Sequence, residues 1–135
     1  MSGYSGTPLL RKLGIKPNFR ILVIEPIEAY FDLLGPLPEG TEMTSLEKGI
    51  PVDFAHLFCL EEETLLTILP QIKSLLKPNG MVWLSWPKKS SKIVSNLNRE
   101  VIREIGLDAG LVDVKVCAVD ENWSGLKFVY RLKDR

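Results

Sequence analysis

Three short runs, RILVIE at 20–25, DFAHLFCL at 53–60 and MVWLSW at 81–86, are apolar almost without interruption. A strand with one face in water alternates apolar and polar residues, whereas a strand covered on both faces need not. Such runs demand helices above and below, and helix-length segments lie between them. The longest is EEETLLTILPQIKSLLKPNG, where Leu65, Ile68, Leu69, Ile72, Leu75 and Leu76 recur at helical spacing. Acids open this segment and lysines close it, which suits the helix dipole. Pro70 is expected to kink or split it, and PNG to turn the chain into MVWLSW.

The remaining elements follow from local signals. Thr7 and Pro8 offer a hydroxyl cap and a first-turn proline for a short helix, PLLRKLG, closed by Gly14. Ile27 to Leu34 reads as a second short helix stopped by GPLPEG, and Thr41 to Leu46 as a weak strand. Asn98 caps a helix that runs to about Ala109 and ends at Gly110. VDVKVCAVD and GLKFVYRL, joined by ENWSG, must then be antiparallel neighbours. The last strand reads as a half-exposed edge, open to a second copy or guarded against one by Lys127, Arg131 and Lys133. The expected fold is α/β: a doubly wound, mostly parallel sheet with an antiparallel strand at the C-terminal end and helices on both faces. Residues 1–135 make one such domain.

Composition narrows function by exclusion. Seventeen basic residues balance seventeen acidic ones, so a nucleic-acid partner is not expected. No run reaches membrane-spanning length, and the N-terminus lacks the layout of a secretory signal, so the expected location is the cytoplasm. Cys59 and Cys117 read as small buried hydrophobes of a reducing compartment, and with one histidine they make no metal set.

In open α/β sheets ligands sit beyond the carboxyl ends of the parallel strands. Those ends carry Glu25, then Leu60 to Glu62, then WPKKSS, with DENWSG at the end of the penultimate strand. The candidate ligand site is therefore Glu25, Lys88, Lys89, Ser90, Ser91, Asp120, Trp123 and Ser124. Two ammonium groups, two hydroxyls and the wall of a turn tryptophan suit a small anionic ligand or an acidic protein surface. Trp83 and Trp86 point to opposite faces of their strand as core residues, and His56 reads as a satisfied buried histidine. Nucleophile elbow, phosphate loop and paired histidines on a helix are all missing, so no catalytic residue is assigned.

The order of elements resembles that of class I methyltransferases, carried by LGIKPNFRILVIEP, VDFAHLFCL, LLKPNGMVWLSWPK and the closing antiparallel pair. The resemblance implies a Rossmann-like fold that binds S-adenosylmethionine, with Glu25 in the place of the family's acid. There the family has a glycine-rich turn so that backbone can approach the cofactor's methionine end. This chain has PIEAYF instead, and Pro26, Ile27 and Glu28 are expected to crowd the pocket. A closer likeness, through YSGTPLLRKLGI, GPLP, WPKKSS and GLVDVKVCAVDENWSGLKF, is to a small bacterial family of unknown function. It implies the same truncated, glycine-poor methyltransferase-like fold and supplies no activity. The expectation is a non-catalytic domain without a cofactor. The alternative is an S-adenosylmethionine-dependent methyltransferase with an atypical turn.

Overall fold

The computed structural model describes residues 8–135. These residues form a six-stranded sheet in the order β2-β1-β3-β4-β6-β5. The strands are β1 Arg20–Ile24, β2 Glu42–Thr44, β3 Val52–Phe58, β4 Leu76–Pro87, β5 Leu111–Ala118 and β6 Trp123–Tyr130. The helices are α1 Leu9–Leu13, α2 Tyr30–Leu34, α3 Glu62–Leu75 and α4 Arg99–Asp108. β1 pairs in parallel with β2 and β3, and β3 with β4, while β6 runs antiparallel to both β4 and β5. A mostly parallel sheet with one reversed strand beside its edge is the architecture the apolar runs require. The edge on that side is β5, not the last strand, because β6 lies between β4 and β5.

The two sheet faces carry separate cores. On one, Leu65, Leu69 and Ile72 of α3 and Ile102 and Ile105 of α4 pack over Leu57, Leu84, Trp86 and Phe128. On the other, Leu9 and Leu13 of α1 and Tyr30 and Leu34 of α2 cover Ile21, Phe54, Phe58 and Trp83. Each fully buried side chain of this size contributes about 1.5–3 kcal/mol. Trp83 and Trp86 thus serve opposite cores, as three-residue spacing on a strand dictates. The Trp83 indole also donates to the Leu13 carbonyl at 2.9 Å, tying the end of α1 to the middle of the sheet.

Several boundaries differ from the sequence expectation for definable reasons. α3 runs through Pro70 without splitting, since Pro70 and Leu66 lie exposed on its outer face while Leu69 and Ile72 hold the inner one. The unpaired Leu66 carbonyl can then be left to water. PNG is not a separate turn but an excursion inside β4, where the pairing jumps from Val52↔Leu76 to Phe54↔Met81. α2 begins at Tyr30, because residues 25–29 are taken up by the turn that leaves β1. The weak strand shortens to Glu42–Thr44 and gives way to a 3-10 turn at Leu46–Lys48. At α1, Gly14 closes the helix with φ 84°, whereas the expected Thr7 cap lies outside the described residues. The Asn98 cap forms as expected, its side chain accepting from the Val101 N–H at 2.9 Å.

Candidate functional site

The carboxyl ends of β1 and β3 open into a cleft of about 490 Å³. It is lined by Ile24 at the end of β1, Pro26 and Ile27 of the following turn, Phe58 and Cys59 at the end of β3, Thr64 and Ile68 of α3, and Trp123. Glu25 and Glu61 supply its charge. Burial pushes the Cys59 thiol up to about 12, which keeps it protonated at neutral pH.

Of the candidate residues, Glu25 and Trp123 line this cleft. Trp123 is not in a turn: it is the first residue of β6, half-buried, with its ring edge-on to Phe58 at 5.5 Å. Asp120 organises the turn before it, its carboxylate accepting from the Asn122 and Trp123 N–H groups at 2.8 Å each. The Ser124 backbone pairs within the ladder, opposite Trp86 and Ala118. Ser91 is likewise used locally, its hydroxyl donating to the Lys88 carbonyl at 2.7 Å, while Ser90 is exposed.

Lys88 and Lys89 leave the rim on the loop after β4 and are not cleft-lining residues. Among the described residues neither ammonium has a hydrogen-bond or ion-pair partner. The Lys88 N–H donates to the Asn122 carbonyl at 2.8 Å, fixing where the loop starts. Further along, Asn96 donates its N–H to the Leu60 carbonyl at 3.4 Å, and the Ser95 hydroxyl donates to the same oxygen. The loop is thus pinned beside the β3–α3 junction. Between these anchors Val94 is 91% exposed, and Ile93 and Leu60 are also exposed.

The turn leaving β1 carries the decisive backbone feature. Glu25 has φ 53°, the left-handed region that favours glycine and costs another residue about 1 kcal/mol. The chain makes a glycine-type turn here with side chains on it. Pro26 and Ile27 line the cleft at that turn, while Glu28 is exposed and does not line it.

A second polar constellation is wholly interior. His56 is fully buried, its Nδ1 2.8 Å from the Tyr30 hydroxyl and its Nε2 2.7 Å from the Ser85 hydroxyl. Phe58 stacks on the imidazole at 4.2 Å between centroids. Desolvation pushes the imidazole down to about 3 and raises the Tyr30 phenol, so all three groups are neutral. With no solvent path this is a structural network. The sequence marked His56 as satisfied, but its partners stand 26 and 29 residues away and nothing local names them.

The fold has well-defined counterparts. A SAM-dependent methyltransferase from Aquifex aeolicus superposes with a TM-score of 0.62 at 16% identity, covering 89% of this chain and 86% of that one. The domain has a methyltransferase-like Rossmann fold. Aeropyrum pernix fibrillarin, in complex with natively bound S-adenosyl-L-methionine, matches with a TM-score of 0.60 at 15% identity over 87% of this chain and 69% of its own. The 1,6-didemethyltoxoflavin-N1-methyltransferase of Burkholderia thailandensis, with bound S-adenosylhomocysteine, gives 0.60 at 15% over 90% and 76%. No protein-family model and no curated protein sequence matches the chain. At the turn after β1, where the resemblance to methyltransferases leads one to expect glycines, this chain carries Glu25, Pro26 and Ile27.

Proposed function

We propose that this is a non-catalytic methyltransferase-like domain that holds a partner protein, or a small anionic ligand, at the strand-end rim. The observation that carries the reading is the turn after β1: Glu25 in a glycine conformation, followed by Pro26 and Ile27 on the cleft wall. The fold's binding position is kept, and the bare backbone that would receive S-adenosylmethionine is replaced by side chains.

The rim beside the cleft favours a protein. Lys88, Lys89 and Lys92 share a pinned loop with exposed Ile93 and Val94, next to exposed Leu60. Apolar surface ringed by unpaired ammonium groups suits a segment that is itself apolar and acidic. A cytoplasmic setting agrees with two unpaired thiols, Cys59 and Cys117, and among the described residues no helix is long and apolar enough to cross a membrane. The resemblance to a small bacterial family of unknown function fits the same reading.

Amine-reactive crosslinking in extract, with the wild type and a Lys88→Ala/Lys89→Ala variant side by side, tests the rim. The expected result is a partner joined at Lys88, Lys89 or Lys92 that the variant retains at least about tenfold less. A partner held equally by both proteins contradicts the assignment. One observation favours the second reading, an S-adenosylmethionine-dependent methyltransferase with an atypical turn: a cleft of about 490 Å³ persists where the fold binds ligands.

A further inference from the structure

On the sheet face covered by α1, lysines converge from four places in the chain. Lys115 of β5 and Lys127 of β6 are directly paired across the ladder. Like charges in that position repel, and sheets ordinarily avoid them. Lys16 approaches from the loop after α1, near enough to act on Lys127 together with Lys115. Lys12 of α1 frames the group: its ammonium donates to the Ala118 carbonyl at 3.4 Å, and the Lys115 ammonium donates to the Lys12 carbonyl at 3.1 Å. Gly14 passes close above, with the position of a Cβ there only 3.9 Å from the Lys127 ammonium.

Lys127 is half-buried, and the charges that act on it, Lys115 and Lys16, are both positive. Among the described residues Lys16, Lys115 and Lys127 make no ion pair, and the pairs Lys77–Asp53 and Arg103–Asp113 lie elsewhere. In a chain with seventeen basic and seventeen acidic residues this concentration is not the by-product of a general basic excess. None of the four lysines lines the rim cleft.

We propose that Lys16, Lys115 and Lys127, framed by Lys12, form an anion site for the phosphoryl group of a small molecule, separate from the rim. Ammonium groups are point charges without a planar fork, which suits the oxygens of a tetrahedral anion approached from several sides. The patch is compact and centred on one cross-strand pair, where a nucleic acid would need a stripe of charge along its backbone. Bound phosphate removes the repulsion between Lys115 and Lys127, so binding and stability are linked.

The test is thermal unfolding of the whole chain in chloride, inorganic phosphate or inorganic pyrophosphate at matched ionic strength. Pyrophosphate is expected to raise the wild-type Tm by several degrees in a saturable way, and phosphate by less. Lys115→Gln, at an exposed position, should weaken the pyrophosphate response about tenfold. Lys127→Met should raise the Tm in chloride, because it removes a half-buried, repelled charge, and should abolish the response. Equal pyrophosphate responses in wild type and both variants overturn the site. So does a lowered Tm of Lys127→Met in chloride. An oligonucleotide that binds more tightly than pyrophosphate, and is lost in the same variants, replaces the small molecule with a nucleic acid.

Discussion

His56→Leu will cost this domain about 4 kcal/mol of stability, the largest loss expected from any single polar side chain in it. The imidazole is the one partner that the Tyr30 and Ser85 hydroxyls share inside a closed core. Its removal leaves two hydroxyls without water or protein to bond, at about 1–3 kcal/mol each. Replacing all three together, with Tyr30→Phe and Ser85→Ala added, removes the orphaned groups and should restore most of the loss. Urea denaturation of the single and triple variants checks both statements. A single variant as stable as the wild type contradicts the network.

The same histidine gives the protein an acid limit. The folded imidazole takes a proton only near pH 3, whereas the unfolded one does so near its ordinary 6.5. Between those values the unfolded state binds more protons, so stability falls as pH falls, by about 1.4 kcal/mol per unit well inside the window. Above 6.5 this contribution is fully present. His56→Leu lacks this slope, so wild type and variant should converge in stability as pH drops from 6.5 towards 4. Parallel decline of the two would mean that the imidazole is not held neutral.

Gly106→Ala is the second large effect. In α4 a Cβ at this position would lie 2.0 Å from Cε2 and 2.4 Å from Cζ of Phe128. Phe128 is fully buried on β6, so its ring has no free volume to turn into. The helix must lift or the ring must leave its rotamer, and such overpacking costs about 3 kcal/mol. The small gain in helix propensity from alanine, about 1 kcal/mol, does not offset it. Shortening the partner, as Phe128→Leu, should cost less in the Gly106→Ala background than alone. A double-mutant cycle on the four proteins measures that coupling, and a coupling near zero would place the ring elsewhere.

Much of the architecture was legible because the signals are local. RILVIE, DFAHLFCL and MVWLSW lack alternation since helices cover both their faces, and Asn98 and Gly110 mark α4 with side-chain and backbone chemistry of their own. The weak elements were legible only in outline. β2 is three residues long and largely exposed, so little hydrophobic pattern exists to be read. Pro70 does not split α3, because it sits on the outer face while Leu69 and Ile72 hold the inner one, a placement that no local rule supplies.

For the candidate site, the strand-end rule pointed to Glu25 and Trp123, and both line the cleft beyond β1 and β3. It did not separate the cleft from the neighbouring loop, because the direction in which Lys88 and Lys89 leave the sheet is set by the bond from the Lys88 N–H to Asn122. Asp120 also holds the turn before β6, through Oδ1, and the Ser124 backbone pairs within the sheet. The lysine cluster has no local signature, since Lys12 reaches Lys115 and Ala118 across 103 and 106 residues of chain. The left-handed Glu25 is the reverse case: no sequence rule predicts it, yet the proposed function rests on the turn it begins.

Calorimetric titration of the wild-type chain with S-adenosylmethionine and S-adenosylhomocysteine tests the central claim most directly. With Pro26 and Ile27 on the cleft wall at the turn after β1, neither is expected to give a binding heat, and native mass spectrometry of gently purified protein should show the chain without either molecule. A saturable heat with a micromolar dissociation constant, or S-adenosylhomocysteine carried through purification, would contradict the non-catalytic reading and return the domain to the methyltransferases whose fold it has.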